Sequence, residues 1–123
     1  MSNILVVDDS PTMRRMVQAA LRGVTGLTYA EAGNGLEAIE QLAMAAIDLM
    51  ICDLNMPDMH GLELIQFLRG QPTLRAFPIV VLTTRSDEAS RTAVLAAGAS
   101  EYLTKPFRPD VLAARVRRLL NQE

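Results

Sequence analysis

Short apolar runs alternate along this chain with stretches where apolar residues recur every three or four positions. Ile4-Leu5-Val6-Val7, Leu49-Met50-Ile51-Cys52 and Ile79-Val80-Val81-Leu82 are unbroken apolar runs. Such runs read as strands buried on both faces. Leu27 to Glu31 and Glu101 to Thr104 are weaker strand signals. Between the runs lie helical patterns. Pro11 suits a helix start; Met13, Met16, Val17, Ala20 and Leu21 follow at helical spacing, with Gly23 as the stop. Asn34 is placed to cap a helix whose apolar side includes Leu36, Ile39, Leu42 and Ala43. Gly61 to Leu68 is a third helix, through Leu62, Leu64, Ile65 and Leu68, with Gly70 beyond it. Ser86 or Asp87 caps a fourth, running to about Ala97 with Gly98 as its stop. Pro109 opens the last, with Val111, Leu112, Val116, Leu119 and Leu120 inward. Five strand–helix units in strict alternation predict an α/β fold, a parallel sheet covered by helices on both faces. Crossovers are expected to be right-handed, and ligands to bind beyond the carboxyl ends of the strands.

Composition narrows the function without choosing it. The chain has 123 residues, half of them apolar, enough for one domain over 1–123 with a real core. The net charge of −2, with acids and bases intermixed, argues against a nucleic-acid binder. One cysteine, Cys52, sits in an apolar run and reads as a buried, inert thiol. No apolar stretch is long enough to span a membrane, and Met1-Ser2-Asn3 carries no signal-peptide pattern. A cytoplasmic, monomeric protein with no membrane partner is expected.

The chemistry gathers at the strand ends. Asp8 and Asp9 follow the first strand, Asp53 the third, Thr83 and Thr84 the fourth, and Thr104 and Lys105 the fifth. If the first and third strands are neighbours, three carboxylates converge. Two like charges ~4 Å apart repel by roughly 4 kcal/mol at an effective dielectric near 20. Lys105 offsets one of three negative charges, and a divalent cation would cancel the remaining two. Hard oxygen ligands in a half-open site suit Mg²⁺, with Mn²⁺ as a substitute. A carboxylate facing a metal, a lysine and a hydroxyl is arranged to attack phosphorus, giving an acyl phosphate. Each residue alone has a plainer reading: a solvated loop for Asp8-Asp9, a strand terminator for Asp53, a turn residue for Thr83, a surface charge for Lys105. Their joint placement at four strand ends favours the site.

The stretches ILVVDDSPTMRR, DLNMPDMHGLE, VLTTRSDEA and GASEYLTKPF resemble the response-regulator receiver family, and within it the CheY-type single-domain chemotaxis regulators. The resemblance spans nearly the whole chain, in the family's order and spacing. It implies a flavodoxin-like doubly wound (βα)5 sheet with strand order 2-1-3-4-5, the order known for flavodoxin and CheY. It implies that Asp53 is the phosphoacceptor. Asp9 and Asp53 would ligate Mg²⁺ directly with the backbone carbonyl of Asn55, and Asp8 would act through water. Thr83 would close on the phosphoryl group and Lys105 would pair with it. Lys105-Pro106 looks like the family's cis peptide. Tyr102 matches the aromatic switch, and the face made by the fourth helix, fifth strand and last helix would change shape on phosphorylation. Asn55 and Arg85 border the path of the hydrolytic water, so both are expected to set the phosphate lifetime. The implied donor is a sensor histidine kinase of the chemotaxis type, and the implied reader a protein target, with the flagellar motor switch as leading candidate. Such a protein catalyses only its own phosphorylation and dephosphorylation.

Other readings fit less well. An aspartate-nucleophile phosphatase wants a second acid two residues after the nucleophile, where this chain has Asn55. A flavodoxin would place hydroxyls and amides where Asp8 and Asp9 would repel a flavin phosphate. A receiver-like scaffold without phosphorylation usually lacks an acid, the threonine or the lysine, and none is missing here. A receiver in a phosphorelay or another two-component pathway remains an alternative to chemotaxis. Met56 and Met59 are expected to pack the loop under Pro57. His60 is expected to be a surface loop residue, and Arg115, Arg117 and Arg118 a solvated helix face.

Overall fold

A computed structural model describes residues 1–56 and 59–121 of the chain. Five strands, β1 (Ser2–Val7), β2 (Leu27–Ala32), β3 (Leu49–Cys52), β4 (Ile79–Thr83) and β5 (Glu101–Thr104), alternate with five helices. These are α1 (Pro11–Ala20), α2 (Gly35–Met44), α3 (Gly61–Arg69), α4 (Glu88–Ala97) and α5 (Pro109–Leu119). The sheet is parallel with order β2-β1-β3-β4-β5, the doubly wound arrangement expected. A short 3-10 turn at Pro72–Leu74, not foreseen, leads from α3 toward β4.

The continuous apolar runs become the central strands because both faces are covered. Leu5, Val7, Met50, Cys52, Ile79 and Val81 point into one core layer, with Ala38, Leu64, Ile65, Leu68 and Val94 from α2, α3 and α4. Ile4, Val6, Leu49, Ile51, Val80 and Leu82 point into the other, with Val17 of α1, Leu21 just after it, and Leu112 and Val116 of α5. Each such side chain removed from water contributes about 1.5–3 kcal/mol, which is why strands without polar alternation hold the centre.

Helix ends follow local chemistry. Ser10, Asn34 and Asp87 each accept a hydrogen bond from a first-turn backbone N–H, so Asp87 rather than Ser86 caps α4. Pro11 and Pro109 stand in the first turns of α1 and α5. Gly98 ends α4 in the left-handed region, φ 119°, where a side chain would be strained and would strike Arg69. Gly23 and Gly70 do not act this way. α1 ends on Leu21, and Gly70 caps α3 with right-handed dihedrals.

Several expected inward residues face out. Met16 and Leu36 are half exposed, at 50% and 51%, and Ala43 is exposed. In α2 the small residues Gly35 and Ala38 are the buried ones. With those two inward, Leu36 and Ala43 are rotated about 100° off the buried face. In α1, Val17 takes the core position, and its neighbour Met16 is rotated outward by the same step. Met56 is buried in the first core layer, and Met59 packs against that layer and over Gly35. Pro57, under which both were expected to pack, lies outside the described residues.

Candidate functional site

The register brings the site together. Val7 pairs with Cys52 at the ends of β1 and β3, so Asp8 and Asp53 emerge side by side. The Asp53 N–H donates to the Val7 carbonyl at 3.0 Å, extending the ladder by one bond. Thr83 pairs with Thr104 at the ends of β4 and β5, and the Lys105 N–H donates to the Thr83 carbonyl at 2.7 Å. α3 starts so close to this edge that a Cβ on Gly61 would lie 2.5 Å from the Asp53 carbonyl oxygen. Gly61 also donates to the Leu54 carbonyl at 3.0 Å. A glycine is therefore needed where the backbone carrying Asp53 meets the helix, a constraint the motif contained but sequence reasoning did not draw out.

One carboxylate oxygen from each of Asp8, Asp9 and Asp53 lies within 4.8 Å of the others. Asp8 and Asp53 are buried at 4% and 8% exposure, while Asp9 is exposed. Lys105 reaches in with its Nζ 2.8 Å from Asp8 Oδ2 and 3.6 Å from Asp53 Oδ2. One lysine thus serves the two buried carboxylates, while Asp9 stands at the rim of the cluster. Burial pushes the Asp53 carboxyl above its ordinary range. Lys105 pulls it down, Asp8 pushes it up again, and the N–H groups of Asn55 and Leu54 pull it down. A half-open cluster of oxygen donors with a charge deficit matches what a hard divalent cation requires. Cys52, fully buried beneath, has its thiol pushed strongly up by burial, then by Asp53 and Asp8, in keeping with an inert core residue.

The remaining motif residues line the same edge. Thr83 is fully buried, and its Oγ1 accepts the Arg85 N–H at 3.3 Å. As acceptor there, the hydroxyl keeps its own proton to donate elsewhere. Tyr102 is 6% exposed, and its hydroxyl donates to the Arg85 carbonyl at 2.5 Å. The Arg91 guanidinium lies 5.8 Å from the Tyr102 ring centre. The Arg85 backbone therefore joins Thr83 to Tyr102 through one residue. The Lys105-Pro106 peptide is cis, as expected. Asn55 and Thr84 are exposed. His60 is half-buried and caps α3, its Nδ1 accepting the Leu62 N–H at 3.3 Å, a structural role that a surface loop residue would lack.

Arg115, Arg117 and Arg118 stay partly or largely exposed, as expected of a solvated helix face, but each also has a partner within the chain. Arg115 binds Glu101 Oε1 at 2.5 Å, Arg118 binds Glu101 Oε2, and Arg117 donates to the Gly23 carbonyl at 3.0 Å. β5 places Glu101 beside α5, so two arginines three positions apart on the helix find a carboxylate that the helix pattern alone does not contain. Arg69 was missed too. It bridges the Gly98 carbonyl at the end of α4 and the Leu74 carbonyl in the 3-10 turn.

The fold and this edge define a doubly wound α/β protein with an acidic pocket and a single inserted lysine. The sequence profile of the response regulator receiver domain matches residues 4–117, and the chain belongs to that family. It is 39% identical to the chemotaxis protein CheY1 of Helicobacter pylori over 118 residues, 95% of each chain. It is 40% identical to the KDP operon transcriptional regulatory protein KdpE of Escherichia coli, covering 95% of this chain and 50% of that one. Among solved structures, a putative response regulator from Chloroflexus aurantiacus superposes with a TM-score of 0.91 at 36% identity, covering 98% of each chain. The chemotaxis response regulator CheY4 of Vibrio cholerae superposes with a TM-score of 0.87 at 35% identity, covering 97% of this chain and 98% of that one. Among the described residues no helix is long and apolar enough to cross a membrane.

Proposed function

We propose that this receiver domain is a phosphoacceptor switch in which Asp53 takes a phosphoryl group from a phosphohistidine on a sensor kinase. The observation that carries the reading is the convergence of Asp8, Asp9 and Asp53 on one inserted lysine, with a buried threonine hydroxyl on the neighbouring strand end. An Asp53 carboxylate oxygen attacks phosphorus. The O–P bond forms as the P–N bond to the donor breaks; the donor ring carries a proton on its other nitrogen, so it leaves as a neutral imidazole, with an acyl phosphate on Asp53. Asp9, Asp53 and the Asn55 carbonyl would hold Mg²⁺, with Asp8 acting through water, and the ion when bound supplies charge neutralisation for the phosphoryl oxygens. Mn²⁺ fits the same donors.

Lys105 exchanges part of its contact with Asp8 for a phosphoryl oxygen, and Thr83 donates its free proton to another. The move of Thr83 pulls on the Arg85 backbone and so on the Tyr102 hydroxyl, which biases the α4-β5-α5 face between two pre-existing arrangements. The Asn55 and Arg85 side chains flank the route of the hydrolytic water and set how long the phosphate lasts. The chain acts on nothing but its own phosphoryl group. Residues 1–123 act as one receiver unit, monomeric and cytoplasmic. Full-length similarity to chemotaxis proteins supports a chemotaxis kinase as donor and the flagellar motor switch as reader. The comparable identity to a transcriptional regulator keeps another two-component pathway as the second reading.

The test is intact-mass spectrometry after incubation with acetyl phosphate. One phosphoryl group is expected with Mg²⁺, none with EDTA, and none on Asp53→Asn. Rapid turnover of small phosphate esters by the purified protein would instead make it a phosphatase.

A further inference from the structure

We infer that Arg14 is a positioning residue for the acidic pocket, holding the Asp8–Asp9 peptide so that Asp9 is aimed at the cation. The inference rests on the metal-supported reading of the site given above.

Every polar group of Asp8 is fixed. Its N–H donates to the Ala32 carbonyl of β2 at 3.0 Å. Its Oδ1 accepts the Ser10 N–H at 2.9 Å, and its Oδ2 accepts Lys105 at 2.8 Å. The last group, its backbone carbonyl, accepts Arg14 Nη1 at 2.5 Å. That carbonyl belongs to the peptide plane that leads directly into Asp9. Asp9 is the exposed member of the cluster, so the orientation of its preceding peptide is what places its carboxylate.

Arg14 can do this because it is itself held. It lies one turn into α1, its N–H donating to the Ser10 carbonyl at 3.1 Å. Its side chain is only 17% exposed, and its Nε binds Glu31 Oε1 of β2 at 2.8 Å. A planar guanidinium reaches a carbonyl and a carboxylate in fixed directions at once; a lysine ammonium is a single point charge without that geometry. Glu31 has a second effect. A bare cation behind the pocket would oppose binding of a divalent ion, and the Glu31 carboxylate neutralises it. The pair thus fixes the loop without adding positive charge to a site that must attract it. Groups that orient metal ligands from behind typically change metal affinity by about 10- to 100-fold when removed.

The experiment is isothermal titration of Mg²⁺ into wild type, Arg14→Gln, Arg14→Lys and Glu31→Gln, with acetyl-phosphate labelling rates at low and saturating Mg²⁺. Arg14→Gln is expected to weaken Mg²⁺ binding about tenfold. Its labelling rate at saturating Mg²⁺ should stay within about twofold of wild type, because the defect lies in ion binding rather than in Asp53. Arg14→Lys should recover part of the affinity. Glu31→Gln should weaken binding severalfold by unmasking the guanidinium. A residue that merely supports the fold would lower the urea midpoint and leave Mg²⁺ affinity unmoved. Mg²⁺ affinity within twofold of wild type in a folded Arg14→Gln overturns the inference. If Arg14→Gln does not fold, Glu31→Gln decides in the same way. A wild type that binds no Mg²⁺ overturns the functional reading itself and this inference with it.

Discussion

Two charge clusters stand at the ends of the same sheet and are built in opposite ways. At the carboxyl edge, three carboxylates gather, and one lysine meets the two that are buried. At Glu101, on the opposite end of β5, one carboxylate holds two arginines whose side chains are 37% and 62% exposed. The second cluster needs nothing further: its charges are met, and water screens what is left over. The first is short of positive charge where solvent cannot supply it. The imbalance, rather than the number of charged residues, is what supports the proposed reading of this edge as a cation and phosphoryl site.

The comparison is broken most severely at Lys105. In Mg²⁺-free buffer, Lys105→Ala leaves Asp8 and Asp53 uncompensated and should cost about 3–5 kcal/mol in urea unfolding. Added Mg²⁺ should restore much of that loss. Labelling by acetyl phosphate should survive in part, while any phosphorylation-dependent partner binding should be lost.

Asp53→Asn acts in the other direction. The Asp53 pKa is raised in the fold, chiefly by burial, above its ordinary 3.8. Its contribution to stability is therefore present below that ordinary value and lost as pH rises through the folded-state value. At neutral pH the ionised carboxylate opposes folding, so without Mg²⁺ the asparagine variant should be the more stable of the two in urea unfolding. The gain should disappear as the pH falls below about 4. A constant difference across that range would mean that packing, not ionisation, sets the effect.

Glu101→Gln should matter least. Its arginine partners are well exposed, and such pairs contribute about 1 kcal/mol or less. The loss should shrink as salt is raised toward 1 M. A cost comparable to that of Lys105→Ala would erase the distinction between the two clusters.

Much of this was readable from the chain because it depends on periodicity and topology. Unbroken apolar runs at Ile4–Val7, Leu49–Cys52 and Ile79–Leu82 require cover on both faces, so a parallel sheet followed, and the sheet's carboxyl edge located Asp8, Asp53, Thr83 and Lys105. The neighbouring of β1 and β3, on which the cluster depends, was an assumption until the family resemblance supplied the order. What could not be read are contacts between elements distant in sequence. Arg115 and Arg118 meet Glu101 only because α5 packs beside β5, and Arg69 meets Gly98 across 29 positions. Met16 and Leu36 were misplaced because an apolar residue one step off the buried face fits a loose helical pattern as well as a core residue does. Arg14 stood inside a motif already singled out, but its partners, a backbone carbonyl and Glu31, carry no one-dimensional signature.

The account turns on which carboxylate carries the phosphate. Borohydride reduction of the acetyl-phosphate-treated protein, followed by peptide mapping, reads that directly. The modified residue should be Asp53 alone, and only when Mg²⁺ was present. Label on Asp8 or Asp9, or label at the same level in Asp53→Asn, would contradict the assignment.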